Sequence, residues 1–503
     1  MTDNQAAAAA PGEAPARRTR SDYELGTVPQ GERKHWLPIA GIWIAVGIDL
    51  SGTIMGVQLG NGLPFGQALT ATILGSVLLG LLAMACTYVG AATGLTSAML
   101  SRAVFGRVGG LVIAVAMAIS SLGWFGVQTG FFADNARIAV HELFGADVSV
   151  HVFTIIGGLL MMLTALWGYR SIQRLSSWAV PLLIGLLLLA VVLAFVQFGT
   201  GDLLAAVEPQ FSFGGAVSLV MGIFVFGVIV SPDIARWART PKQAMAAGFV
   251  GFFIGNSLIV IVALVLSRVM GVEDLMRMFF LLGLGAIALI VLTLAQWTTN
   301  TNNLYSAALN LSVVFPRVSR RTLTLVGGVV AIGAALAGIY DAFIPFISLM
   351  GTFIAPYGGV YLAEFFTRAR SRLRTGADLV PALDGWAFVA WGVGCAVGIS
   401  TTQPGDGLGV GLFTLTTIPA VDAILAAFVT HALIGLVRRG GDSGAGGADA
   451  GAGGAAPAGG APAVTGEATA PRSAATGDTP AAGVPLNTAG FYRPAPEALG
   501  GAR

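Results

Sequence analysis

The chain has 503 residues, of which 55% are hydrophobic and only 10% charged, with a formal net charge of +2. A soluble domain carries roughly 25% charged residues, so the composition is that of an integral membrane protein. Such a small net charge points to no nucleic-acid partner. Cys86 and Cys395 both lie in apolar stretches and the four histidines are scattered, so neither a disulfide framework nor a metal centre is expected.

Residues 1–35 are rich in Ala, Pro and Arg, with no apolar core before Trp36, and read as a disordered tail without a cleavable signal peptide. Twelve apolar segments follow, each about long enough to cross ~30 Å of hydrocarbon. They are numbered here 1 to 12 and lie near 36–58, 67–92, 109–133, 151–169, 178–198, 213–232, 245–267, 278–300, 322–339, 342–364, 385–402 and 409–436. The expected fold is therefore all-α, with twelve transmembrane helices inside residues 36–437. Residues 438–503 are Gly, Ala and Pro with almost no large apolar side chain and read as a second disordered tail.

Segment 1 contains Gly47 to Gly62, GIDLSGTIMGVQLGNG, a poor helix. Each glycine costs roughly 1 kcal/mol relative to Ala, and Asp49, Ser51 and Thr53 add polar groups. In lipid, unpaired backbone survives only when buried in protein or lining a watery cavity, and transporters use such broken helices for substrate and ion sites. The glycines alone would equally allow close helix packing. In segment 3, Trp124 and Gln128 are four residues apart and share a helix face. The amide offers donors and an acceptor to a planar heterocycle and the indole offers a stacking face, although packing and helix–helix bonding would also explain them.

Segment 6 repeats the character of segment 1: Gly222 and Gly227 interrupt it and Pro232 ends it. Segments 1–5 and 6–10 thus form two candidate halves with corresponding broken helices. Segment 8 ends in AQWTTNTNNLY (295–305), dense in amides and hydroxyls. Thr298 and Thr299, with carbonyls from a broken segment 1, suit a small hard cation. Asn300, Asn302 and Asn303 suit a polar substrate. A solvated helix end would account for the same run. Among intramembrane acids, Asp49 at the break is the strongest functional candidate, to face a cation or carry a proton. Asp341 and Asp422 fit helix-end caps, Asp233 fits an ion pair with Arg236 or Arg239, and Glu364 lies near the inner surface.

With a cytoplasmic N-terminus, the alternate loops collect 21 Lys and Arg residues on the inside and three (Arg137, Arg268, Arg277) on the outside. That follows the positive-inside rule and places both termini in the cytoplasm.

The chain from about Val28 to Arg439 resembles the nucleobase–cation symporters, the purine-cytosine permease group that includes cytosine and hydantoin transporters. The resemblance rests on YVGAATGLTSAMLSRAVFG (88–106), GWFGVQ (123–128), SPDIARWAR (231–239), WTTNTNNLYSAALN (297–310) and APYGGVYLAEFF (355–366), in order and at family spacing. It implies a leucine-transporter-type 5+5 inverted repeat with broken helices 1 and 6, and alternating access in the plasma membrane. By the same resemblance, Trp124 stacks on a planar base and Phe224 covers the other face. Gln128 is the hydantoin-type edge reader, and Ser121 stands where cytosine permeases carry a Gln. Thr298 and Thr299, with the carbonyls of Ala295, Leu50 and Thr53, are the implied sodium site. Asp49 has no family counterpart.

The function expected is import of a nucleobase, foremost cytosine, by sodium or proton symport. Uracil, allantoin, a hydantoin, a purine or a thiamine-like pyrimidine remain alternatives. No organic cofactor and no obligate protein partner are implied. A channel would need a filter loop or rings of like residues. An enzyme would need clustered ligands or an activated nucleophile. Neither pattern is present, and the phosphate loop GxxxxGK[ST] is absent.

Overall fold

The computed structural model describes Tyr23 and residues 27–167, 169–368 and 381–445. Most of both predicted tails lies outside these residues. The described chain is helical apart from its connections.

Segment 1 becomes two helices, α1 (Trp36–Gly47) and α2 (Leu50–Gly62), bent by 55° at Ile48–Asp49. The glycines do not make this break, because α2 runs unbroken through Gly52, Gly56 and Gly60. They serve packing. A Cβ on Gly47 would sit 2.6 Å from the Gly255 Cα, and one on Gly56 would sit 2.4 Å from the Val260 carbonyl oxygen. Both neighbours belong to α10 (Pro241–Met270), which lies along α1 and α2. The break comes from Asp49, whose extended backbone (φ −131°, ψ 175°) and side chain cap α2 by accepting from Gly52 N–H.

Next come α3 (Phe65–Thr93), α4 (Ser97–Phe105), α5 (Gly109–Phe144), α6 (Val150–Ala165) and α7 (Tyr169–Phe198). Hydropathy ends segment 3 near 133, but α5 continues to Phe144, where Gly145 closes it in the left-handed conformation. Segment 6 is α8 (Phe213–Ile229), followed by the single turn α9 (Pro232–Ala235). Gly222 and Gly227 do not interrupt α8; the discontinuity is at Val230–Ser231. Residues 275–281 form a separate short helix, α11 (Leu275–Leu281), and segment 8 is α12 (Gly285–Val314). The polar run 296–303 therefore lies in the middle of α12, not at a helix end.

The chain continues through α13 (Arg320–Leu336) into the span Ile339–Thr367, which includes α14 (Phe343–Leu349), a π turn (Met350–Ile354) and α15 (Ala355–Ala363). The last two helices are α16 (Gly385–Thr401) and α17 (Pro419–Ala445). Residues 409–418 precede α17 rather than belonging to it, and α17 runs beyond the 437 boundary drawn from composition.

Six helices and the bent α1–α2 pair are long and apolar enough to cross a membrane, among the described residues. α6, α8 and α16 are shorter but apolar. The chain is a multi-pass membrane protein.

One end of the bundle is tied together by backbone. Lys34 N–H donates to Trp237 O at 2.6 Å and Arg239 N–H donates to Lys34 O at 3.0 Å, so residues placed in the tail by composition lie against the end of α9. The Asp233 carboxylate accepts from the Ser97 backbone N–H (2.8 Å) and hydroxyl (2.9 Å) at the start of α4, and the Asp233 backbone carbonyl accepts from Arg236 Nε at 3.1 Å. The buried Arg236 donates to Tyr23 O at 2.7 Å and to the Tyr305 hydroxyl at 3.5 Å. Asp422 accepts from Thr416 before α17, and Glu364 bonds His431 at 2.8 Å between the span Ile339–Thr367 and α17.

Candidate functional site

The polar centre of the bundle is the point where α5 and α12 meet the α1–α2 break. Leu50 N–H, freed by the break, donates to Gln296 Oε1 at 3.1 Å. A backbone N–H can only donate, so the Gln296 atom facing it is the oxygen. Gln296 Nε2 then donates to Gln128 Oε1 at 2.7 Å and to Gln128 O at 3.0 Å. That leaves Gln128 Nε2 to donate to Asp49 Oδ2 at 2.5 Å. Asp49 Oδ1 accepts from the Ser51 hydroxyl (2.5 Å) and from Gly52 N–H (3.1 Å). The loop of bonds closes at the start of α2, tying Asp49 and Leu50 to α5 and α12. Asp49 is 2% exposed, and Gln128 and Gln296 are fully buried.

No Lys, Arg or His forms an ion pair with Asp49 among the described residues. Both of its oxygens act as acceptors, held by donors and by the N-terminus of α2, where the helix dipole favours negative charge.

The cation candidates gather beside this network. α1 ends at Gly47, so the carbonyls of its last turn lack intrahelical partners. The Thr298 hydroxyl lies 3.2 Å from Ala45 O and 2.7 Å from Ala295 O. The Thr299 hydroxyl lies 3.2 Å from both Val46 O and Ala295 O. The segment 1 carbonyls brought to the hydroxyl pair are thus those of Ala45 and Val46, not Leu50 and Thr53. The reason is polarity: Leu50 and Thr53 open α2, where N–H groups are free and carbonyls enter the helix ladder. Thr53 turns its hydroxyl back to Asp49 O at 3.4 Å.

The α12 asparagines divide by helical phase. Gln296, Asn300 and Asn303 follow an i, i+4, i+7 face toward α5. Asn300 Nδ2 donates to Thr129 Oγ1 (3.0 Å) and Phe125 O (3.3 Å), and Asn303 contacts Asn300 Oδ1 at 3.5 Å. Asn302 shares the other face with Ala295, Thr298 and Thr299, and its Oδ1 is buried without a partner among the described residues.

On α5, Trp124 Nε1 and Ser121 Oγ are likewise buried without partners among the described residues. The Trp124 ring meets Phe346 (5.1 Å) and Phe343 (6.4 Å) of α14 edge-on. Phe224 is buried in α8, and among the described residues no ring contact joins it to Trp124. Sequence reasoning left Gln296, Ala45 and Val46 out of the site. Gln296 was findable, because it lies one turn before Asn300 on the same face. The two carbonyls belong to apolar residues and leave no trace in side-chain chemistry.

The family model for permeases of cytosine/purines, uracil, thiamine and allantoin matches residues 27–419. The chain is 30% identical over 380 residues to the cytosine permease of Escherichia coli (strain K12), covering 75% of this chain and 89% of that one. It is 24% identical to the hydantoin permease of Microbacterium maritypicum, covering 67% and 73%. Its fold is similar to that of a nucleobase-cation-symport-1 family transporter solved in a closed conformation with bromovinylhydantoin bound. There the TM-score is 0.70 at 20% identity, covering 81% of this chain and 93% of that one. The chain therefore belongs to the family of permeases for cytosine/purines, uracil, thiamine and allantoin, and is a transporter rather than an enzyme.

Proposed function

We propose that the protein imports a nucleobase, foremost cytosine, across the plasma membrane by cation symport and alternating access. The observation that carries this reading is the buried Asp49–Gln128–Gln296 network closing over the helix break. It places exchangeable hydrogen-bond donors and acceptors where α2, α5 and α12 converge. The cytosine permease relative supports cytosine as the base.

In this reading Trp124 and Phe224 stack on the base, with each aromatic contact contributing on the order of 1 kcal/mol. Gln128 reads its edge, with Ser121, Asn302 and the Asn300–Asn303 pair as further polar contacts. A mismatched base leaves buried polar groups unpaired, which is the basis of selection. A sodium ion is held by Thr298, Thr299 and the carbonyls of Ala45, Val46 and Ala295, an all-oxygen set suited to a hard cation. Asp49 supplies negative charge beside it and is the proton carrier if the coupling ion is H⁺. Twelve helices form a 5+5 inverted repeat with α1–α2 and α8–α9 as its broken members, both termini cytoplasmic.

The pairing of Gln128 with Trp124 and the hydantoin permease relative favour a second reading, the same mechanism acting on a hydantoin. Uptake into proteoliposomes tests both. Labelled cytosine is offered under imposed sodium or proton gradients, with unlabelled uracil, adenine, allantoin and hydantoin as competitors. Gradient-driven cytosine uptake is expected. Uptake blocked only by hydantoin would move the substrate, and absence of uptake for every base would overturn the reading.

A further inference from the structure

Gln296 stands where three elements meet. It follows Ala295 on α12, whose carbonyl lies 2.7 Å from the Thr298 hydroxyl and 3.2 Å from the Thr299 hydroxyl. The same two hydroxyls reach Ala45 O and Val46 O at the end of α1, each at 3.2 Å. Two hydroxyl protons thus face three carbonyl oxygens. A cation would use that excess of oxygen and draw the end of α1 onto this turn of α12.

The Gln296 side chain carries that position onward. Its amide is held at both ends by backbone groups whose roles cannot change. Leu50 N–H, just beyond the end of α1, donates to Oε1 at 3.1 Å. Gln128 O accepts from Nε2 at 3.0 Å. A flipped amide would set N–H against N–H and oxygen against oxygen. Nε2 also lies 2.7 Å from Gln128 Oε1, so Gln296 holds the Gln128 side chain as well as its backbone. Gln296 is fully buried, where an unpaired amide is costly. When the break moves, Gln128 must follow or a buried bond is lost.

The neighbouring links do less. The Asp49–Gln128 bond joins the break to α5 without touching α12. Asn300 donates to Thr129 Oγ1 at 3.0 Å and joins α12 to α5 without touching the break. Among the described residues, Gln296 alone bonds both the break and α5 from the helix that bears Thr298 and Thr299. We propose that Gln296 is a positioning residue that couples the two ligands. A cation between α1 and α12 sets the break, the break sets Gln296, and Gln296 sets the Gln128 amide for the base. This inference rests on the symport reading. Such coupling is reciprocal, so the base raises cation affinity by the same factor as the cation raises base affinity.

The test is equilibrium binding to the purified full-length protein. Radiolabelled cytosine, uracil and hydantoin are each titrated in sodium chloride and in choline chloride, and radiolabelled sodium is titrated with and without the base that binds. The wild type should show a coupling factor of about fivefold or more, equal from both directions. Gln296→Met should bring that factor close to one while each ligand still binds alone. Gln296→Glu has nearly the same shape, keeps the bond from Leu50 N–H and loses both bonds to Gln128. It should uncouple likewise and serves if Gln296→Met does not fold. Thr129→Val, which removes a bond between the same two helices, should keep the factor. Full coupling in the Gln296 variants, or its equal loss in Thr129→Val, would overturn the role of Gln296 and keep the symport reading. A wild type that binds a base without regard to sodium would overturn sodium coupling and this inference with it. Binding of none of the three bases would overturn the permease reading as well.

Discussion

Gln128 donates to Asp49 while accepting from Gln296, so its removal strands two groups at once. Each buried group left unpaired costs about 1–3 kcal/mol. Gln128→Ala should cut specific base uptake on the order of 100-fold while the protein still reaches the membrane, read by uptake beside surface labelling. Unchanged uptake removes Gln128 from the site. Gln296→Ala should act in the same direction, because it frees Leu50 N–H at the break and leaves Gln128 unsupported. Thr299→Ala removes one hydroxyl from the candidate cation site and should raise the sodium concentration for half-maximal uptake. If uptake ignores sodium and follows the proton gradient alone, the sodium assignment fails and Asp49 takes the coupling role.

At the scale of the element, what matters is how closely α1 and α2 approach α10. Gly47 and Gly255 touch backbone to backbone, with an added Cβ on Gly255 only 3.0 Å from the Gly47 Cα. Gly255→Val would force the helices apart and shift the carbonyls of Ala45 and Val46 from Thr298 and Thr299. It should lower the thermal midpoint of the purified protein and weaken cation dependence together. A variant with unchanged midpoint and cation response would show that the crossing tolerates bulk. The phase of α12 is the second element-scale fact: one helix faces α1 with its hydroxyls and α5 with its amides, joining the two candidate sites through a single rigid body.

For the whole molecule, the Lys34–Ala238 bridge and the bonds of Arg236 to Tyr23 and Tyr305 tie the residues before α1 to the α9 turn and to α12 at one end of the bundle. Arg236→Ala would release the Tyr23 contact and the Tyr305 hydroxyl and should bias the protein toward an opening at that end, read by thiol labelling of a cysteine placed at Ser97. Equal labelling with and without the substitution would show that Arg236 does not hold the closure. Residues 446–503 carry almost no large apolar side chain. Their deletion should leave uptake intact, and a loss would reveal a role for the tail.

The sequence by itself determined the membrane class, the all-helical fold and the permease family, because hydropathy over some twenty residues and motif spacing are local properties. It also located Asp49, Gln128 and the α12 polar run, since a polar group in an apolar segment stands out without a structure. Tertiary structure alone decided what those residues do to one another. Glycines that read as the cause of the helix break proved to be contact points with α10, because a missing side chain serves flexibility or close approach according to what faces it. Likewise Ala45 and Val46, not Leu50 and Thr53, bring carbonyls to Thr298 and Thr299. Which backbone oxygens are free depends on where a helix ends, and around that break Asp49 meets Gln128, 79 positions along the chain, and Gln128 meets Gln296, a further 168 along, which only the folded chain brings together.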